Sequence, residues 1–333
     1  MTTLYLSEQQ SIVKKRDGYL IIQYAEPNRP KAEIPLIKIS QVVVSGDVTL
    51  TTPAIHTLLE AGIEICFLSM YGHFRGRLSP PLAKNAALRR TQHRAHADPQ
   101  RALQVAQVCV KGKLENMRTL LLRSNRQLQD EQIAAAATSI QNMIRTVPRS
   151  TTVGSLLGIE GNGSAAYFSV FGKLLRGPLT FTRRRRRPPT DPVNAMLSLG
   201  YTLLQHQVSA AIQIVGFDPY VGFLHQPRYG RPALALDLME EFRPIIADSV
   251  VLNIVNHRIL SEQDFKEELG VVHLKPEARK KFYLKFEERL QEELQHPYFE
   301  YRTSYRRCIE LQARLLGKWL TEDIAVYPPL CTR

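Results

Sequence analysis

The sequence predicts an α+β protein, with a small N-terminal β-rich domain over residues 1–80 followed by a larger all-α domain over 84–330. Three observations carry this. Asp17-Gly18 lies between the strand-like runs Ser11–Arg16 and Tyr19–Tyr24, and both central positions of such a turn want φ > 0, which makes a hairpin. Ser79-Pro80-Pro81 breaks that pattern. Beyond it, apolar residues recur at helical spacing, as at Leu103, Ala106, Val110, Leu114, Met117 and Leu121.

Taken in order, Met1 to Leu6 reads as a strand and not as a signal peptide. Glu33–Val44 alternates loosely and ends in three valines. Thr51-Thr52-Pro53 supplies a hydroxyl cap and a first-turn proline, so a helix is expected over Ala54–Ala61, stopped by Gly62. Ile63–Leu68 and His73–Leu78 read as further strands. The whole segment looks like a scaffold that pairs or dimerises without doing chemistry. Helices are then expected over Lys84–His96, Gln100–Arg123, Glu131–Arg145, from Thr151 or Thr152 onward, and over Val193–Val215, where Gly216 ends the run. Ile245–Leu260 and Tyr298–Leu320 are expected to be helical as well, and Tyr327–Arg333 loose.

The chain has 333 residues, enough for two domains, and a net charge of +13. Such a charge favours a polyanion, nucleic acid before a membrane surface. No apolar run reaches the roughly 18 residues of a membrane span. Cys66, Cys109, Cys308 and Cys331 lie far apart, with no C-x-x-C pair. That speaks against structural zinc and a disulfide framework, and fits a reducing cytoplasm.

Two stretches carry chemistry. In Gly222–Pro244, His225 sits in a loop, and Asp237, Glu240 and Glu241 follow within one helical turn of each other, beside the apolar Leu234, Leu238 and Phe242. Carboxylates crowded near a core repel and lose hydration unless a proton or a cation is shared between them. In Ser155–Phe171, Glu160 stands among Gly158, Gly161 and Gly163, whose small size lets a backbone or a ligand come close. A third stretch, Arg183, Arg184, Arg185, Arg186 and Arg187 followed by two prolines, reads as an extended arm for phosphate. Arg243 either contacts a scissile phosphate or balances the acids. His206 and His257 read as ordinary packing or surface residues, and Tyr167 and Tyr201 as buried packing.

The blocks G-I-E-G with A-Y-F, R-R-P-P-x-D-P-V-N, G-F-L-H and G-R-P-A-L-A-L-D-L-M-E-E-F-R-P occur in one order between Thr151 and Pro244. In this combination the chain resembles the CRISPR-associated Cas-one (Cas1) endonuclease-integrases. The resemblance implies a homodimer built on the β-domains, double-stranded DNA as substrate, and a Cas-two (Cas2) dimer as partner in a heterohexameric integration complex. It also implies a Mg²⁺ or Mn²⁺ site held by Glu160, His225 and Glu240, with Asp237 beside it, and insertion of short foreign DNA into the CRISPR array by 3′-hydroxyl attack. Whether one or two ions serve each site stays open, with Asp237 and Glu241 as further acids. Two rival readings are a non-catalytic basic nucleic-acid-binding scaffold and a zinc hydrolase acting on a small substrate.

Overall fold

The computed structural model describes residues 2–81 and 85–332. The N-terminal part carries β1 (Thr2–Leu6), β2 (Ser11–Arg16), β3 (Tyr19–Gln23), β4 (Ala32–Pro35), β5 (Ile39–Ser45), β6 (Val48–Leu50), α1 (Thr52–Glu60), β7 (Glu64–Leu68) and β8 (Phe74–Leu78). The Asp17-Gly18 hairpin forms as the sequence predicts, with Arg16 opposite Tyr19. Glu33–Val44 is not one strand: a 3₁₀ turn at Leu36–Lys38 separates β4 from β5, directly after Pro35.

These strands make two four-stranded sheets, in the orders β4-β3-β2-β6 and β1-β5-β7-β8. In the second, β1, β5 and β7 run parallel and β8 antiparallel. Side chains alternate across a strand, so one strand can serve two cores. Val42 and Val44 of β5 face the first sheet, packing with Val13, Leu20, Ile65 and Leu58. Val43, with Cys66 and Leu68 of β7, faces the helices and joins their core. A parallel sheet covered on both faces follows from such a run of buried valines.

The helical part holds α2 (Ala86–Ala97), α3 (Pro99–Leu128), α4 (Glu131–Thr146), α5 (Val153–Phe171), α6 (Pro192–Val215), α7 (Ala233–Met239), α8 (Ser249–Asn256), α9 (Pro276–Gln291) and α10 (Tyr305–Leu320). The change from strand to helix falls between Leu78 and Ala86, and Lys84, the expected helix start, lies outside the described residues. The caps sit where the composition put them. Asp98 accepts from Gln100 and Arg101, and Asp191 from Asn194, while Gly216 closes α6 at φ +104°.

Three expectations fail. Ile245–Leu260 is not one α-helix: Arg243–Asp248 widens into a π turn before α8. Pro244 has no N–H to return to the preceding turn, and such a residue is an ordinary cause of a broken ladder. The region is not purely helical, because β9 (Phe265–Glu268) pairs with β10 (Val271–Leu274), and β11 (Glu293–Gln295) with β12 (Arg302–Ser304), so the last helix begins only at Tyr305. The tail is not loose. Tyr327 and Leu330 are buried, and Asn116 of α3 donates to the Leu330 carbonyl and accepts from Thr332 N.

Candidate metal centre

The site is assembled from the middle of α3, the middle of α5, the loop before α7, and the end of α7. Two glycines set its spacing. At Gly163 of α5 any Cβ would overlap the Leu114 side chain of α3, so that leucine packs directly on the α5 backbone. At Gly222 a Cβ would lie 2.7 Å from Asp237 Oδ2, so the loop can lie directly on α7. Gly158 and Gly161, beside Glu160, face open space instead.

Asp237 is fully buried. Its Oδ2 accepts from Phe223 N and Leu224 N, and its Oδ1 from His225 N at 2.9 Å. His225 Nδ1 lies 2.8 Å from the same Oδ1. A carboxylate only accepts, so the imidazole proton sits on Nδ1 and the Nε2 lone pair is left free. Nε2 is 3.9 Å from Glu240 Oε1. A histidine whose outer nitrogen is held by a carboxylate is the ordinary support for a metal-binding imidazole. Asp237 therefore holds the loop and aims His225, from the place beside the site at which the resemblance put it.

Glu240 caps the end of α7, and Leu234, Leu238 and Phe242 of that segment are buried almost completely. Burying each such side chain is worth roughly 1.5–3 kcal/mol, which offsets the desolvation of the acid they carry inward. Burial alone would raise the Glu240 carboxyl, but the neighbouring charges of Arg243 and Lys113 hold it down to about 2. Arg243 Nη2 is 3.1 Å from Glu240 Oε1. Its guanidinium is also buried and lies against the Tyr201 ring, 4.8 Å from the centroid. Arg243 thus balances the acid, and its expected place among the DNA-binding residues is not an exposed one.

Glu160 hangs from α5, where Ser164 Oγ donates to its Oε1 at 2.9 Å. Between Glu160 and Glu240 stands Lys113 of α3. Its Nζ is in hydrogen-bond contact with Glu160 Oε1 and 2.6 Å from Glu240 Oε2. Among the described residues, no three His, Cys, Asp or Glu side chains already close on one point; the Lys113 ammonium stands between the two glutamates. The donor types nonetheless suit a divalent ion: Glu160 and Glu240 share a cation, and the His225 imidazole lies beside Glu240.

Glu241 does not share this face. It accepts from Gln312 Nε2 at 3.0 Å and from Leu330 N at 2.7 Å, on the tail side of the helix. Burial pushes its carboxyl up to about 8. The expected crowding of three acids is thus relieved, because Glu241 is taken up by Gln312 and the Leu330 N–H.

The arginine arm divides. Arg183, Arg185, Arg186 and Arg187 are exposed. Arg184 folds back, donating to Asn194 Oδ1 at 2.7 Å and Ser198 Oγ at 3.2 Å. Asn194 also donates to Arg183 O and accepts from Arg185 N, so it anchors the arm.

The family model for CRISPR associated protein Cas1 matches residues 4–288. The chain belongs to the Cas1 family. It is 36% identical to CRISPR-associated endonuclease Cas1 3 of Thermus thermophilus, over 99% of this chain and 97% of that one. It is 42% identical to a Cas4/Cas1 exonuclease–endonuclease fusion of Geobacter sulfurreducens, but spans only 60% of the fusion's length. Among solved structures it resembles a CAS1 protein of Thermotoga maritima, with TM-score 0.83 and 26% identity over 96% of this chain and 97% of that one. It also resembles a chain of a Cas6-RT-Cas1–Cas2 complex, with TM-score 0.82 and 27% identity over 99% of this chain and 36% of that one.

For this Cas1 family member, sequence reasoning missed two residues. Lys113 lies three after Val110 and four before Met117, on the buried stripe of α3, and a lysine in a core position was a legible signal. Asp248 is the other. It is fully buried and accepts from Tyr201 Oη at 2.6 Å and Tyr167 Oη at 3.0 Å. Burial pushes it up to about 6 against those hydrogen bonds. Its place in the π turn gave no periodic signal. Tyr167 and Tyr201 are buried packing residues, as expected, with this added polar task.

Proposed function

We propose that this protein is a divalent-metal-dependent DNA endonuclease and integrase of CRISPR adaptation, inserting short foreign DNA into the CRISPR array by attack of a DNA 3′-hydroxyl on a phosphodiester. The observation that carries the reading is a run of contacts across separate elements: Lys113 Nζ bridges Glu160 and Glu240, and His225 Nε2 lies 3.9 Å from the other oxygen of Glu240. A protein that only binds DNA gains nothing from buried carboxylates beside phosphate, which disfavours the non-catalytic scaffold. The endonuclease name of the Thermus relative supports the same reading.

Glu160, His225 and Glu240 would hold Mg²⁺ or Mn²⁺. When bound, the ion polarises a phosphodiester oxygen and offsets the charge that builds in an in-line displacement. Asp237 keeps the His225 proton on Nδ1. Arg243 keeps Glu240 anionic. Asp237 and Glu241 are both committed elsewhere, so the reading has one ion per site. The chain acts in the cytoplasm on double-stranded DNA, as a homodimer built on its β-rich part, with two such dimers joined by a Cas2 dimer. The resemblance to a chain of a Cas1–Cas2 complex supports that partner, and no helix among the described residues is long and apolar enough to cross a membrane.

The test is a joining assay. A labelled short duplex is incubated with the protein, Cas2 and a plasmid bearing a CRISPR repeat. Covalent product is expected with Mg²⁺ or Mn²⁺ and a free 3′-hydroxyl, and not with chelator or a 3′-deoxy end. Product formed from a 3′-deoxy end would overturn the mechanism. The exposed arm is read as the phosphate tracker. Replacing Arg183, Arg185, Arg186 and Arg187 by Gln flattens the slope of log affinity against log salt, by about 0.9 for each phosphate that is no longer neutralised. An unchanged slope removes the arm from the interface.

A further inference from the structure

Lys113 is an unusual tenant for a metal centre. Its side chain is 3% exposed, and its Nζ bridges Glu160 and Glu240. Among the described residues, the ammonium, 2.6 Å away, is the partner of Glu240 Oε2. The other oxygen of Glu240 is already taken by Arg243.

We propose that Lys113 is the resident counter-cation of the metal-free site, and that it competes with the divalent ion for Glu160 and Glu240. The proposal rests on the metal-centre reading above. A buried carboxylate facing a half-buried one with no cation between them is unfavourable, and Lys113 removes that penalty whenever the metal is absent. An ammonium and a divalent cation cannot both sit between the same two oxygens, because their repulsion at contact range in a buried place is large. Metal entry thus requires Lys113 to withdraw. A lysine can do so: its charge is a point at the end of four flexible carbons, unlike the rigid fork of arginine. The way out passes Glu160, whose side chain is 20% exposed against 3% for Glu240. The backbone stays fixed, since Val110 and Leu114 beside it are fully buried. Lys113 so acts as a positioning residue that keeps the two acids in register and sets the ion concentration at which the site fills.

The experiment is Mn²⁺ titration of the full chain followed by electron paramagnetic resonance of the free ion, together with thermal unfolding with and without Mn²⁺. Lys113→Met is expected to bind Mn²⁺ about tenfold or more tighter than wild type, to melt lower than wild type without metal, and to gain more from added Mn²⁺. Lys113→Gln, which leaves a polar group for the carboxylates, shows the same direction should Lys113→Met not fold. Adding His225→Ala to either variant removes the gain. Equal or weaker Mn²⁺ binding in the folded Lys113 variants overturns the competition while leaving the metal centre intact. If wild type shows no Mn²⁺ binding that His225→Ala weakens, the metal-centre reading itself fails, and the competition falls with it.

Discussion

Glu240→Gln abolishes measurable strand transfer, by roughly 10³-fold or more, while DNA binding stays within a few-fold of wild type. The asymmetry follows from where the residue sits. Glu240 is 2% exposed, so it is not part of a DNA-facing surface. Its charge is matched by Lys113 and Arg243, and it faces the His225 lone pair. The amide keeps the volume but removes a ligand charge, and leaves the two cations repelling each other. His225→Ala and Glu160→Gln act in the same direction. If all three variants joined DNA ends at the normal rate, the proposed catalyst would not exist.

The same substitution has a second signature, in stability against acid. Glu240 is depressed from its ordinary 4.5 to about 2. A depressed carboxyl gives its full stabilisation above the unfolded value and loses it as pH falls through the folded value. The metal-free wild type therefore loses on the order of 3 kcal/mol from this group between pH ~5 and ~2. Glu240→Gln lacks that limb, so its stability changes less over that window. Unfolding by urea at several pH values reads the difference.

The outline of the fold was legible because the signals were local. The Asp17-Gly18 turn, the Asp98 and Asp191 caps and the Gly216 stop each act within a few residues. The errors arose where distant packing decides. Nothing local distinguishes a loose Tyr327–Thr332 from one anchored by Asn116, more than 200 residues earlier. The 3.6-residue period cannot register the widened turn after Pro244, which is why Asp248 and its two tyrosines were invisible as a unit. Spacing put Asp237, Glu240 and Glu241 on one face, but it could not say which would be spent on the loop, on the cation and on the tail. Each acid took the nearest unsatisfied donors, and those come from other elements.

Asp237→Asn tests that division of labour. It is expected to lower Mn²⁺ affinity by about 10–100-fold and strand transfer by about 10²–10³-fold, with DNA binding kept. The carboxylate accepts from Phe223 N, Leu224 N, His225 N and His225 Nδ1. An asparagine offers one accepting oxygen for these four donors. If its NH₂ replaces Oδ2, it faces two backbone N–H groups and the loop must shift. If it replaces Oδ1, it faces the imidazole, which then keeps its proton on Nε2, the nitrogen aimed at Glu240, and the ligand lone pair is gone. Either way the metal is released through His225 and not through Asp237. A ligand role for Asp237 predicts instead that Asp237→Glu, with the same charge, restores binding. The positioning role predicts that it does not, because a Cβ at Gly222 would already be 2.7 Å from Oδ2 and the longer arm has no room against the loop. Asp237→Asn joining DNA within threefold of wild type would leave His225 without need of its partner, and the assignment of Asp237 would be wrong.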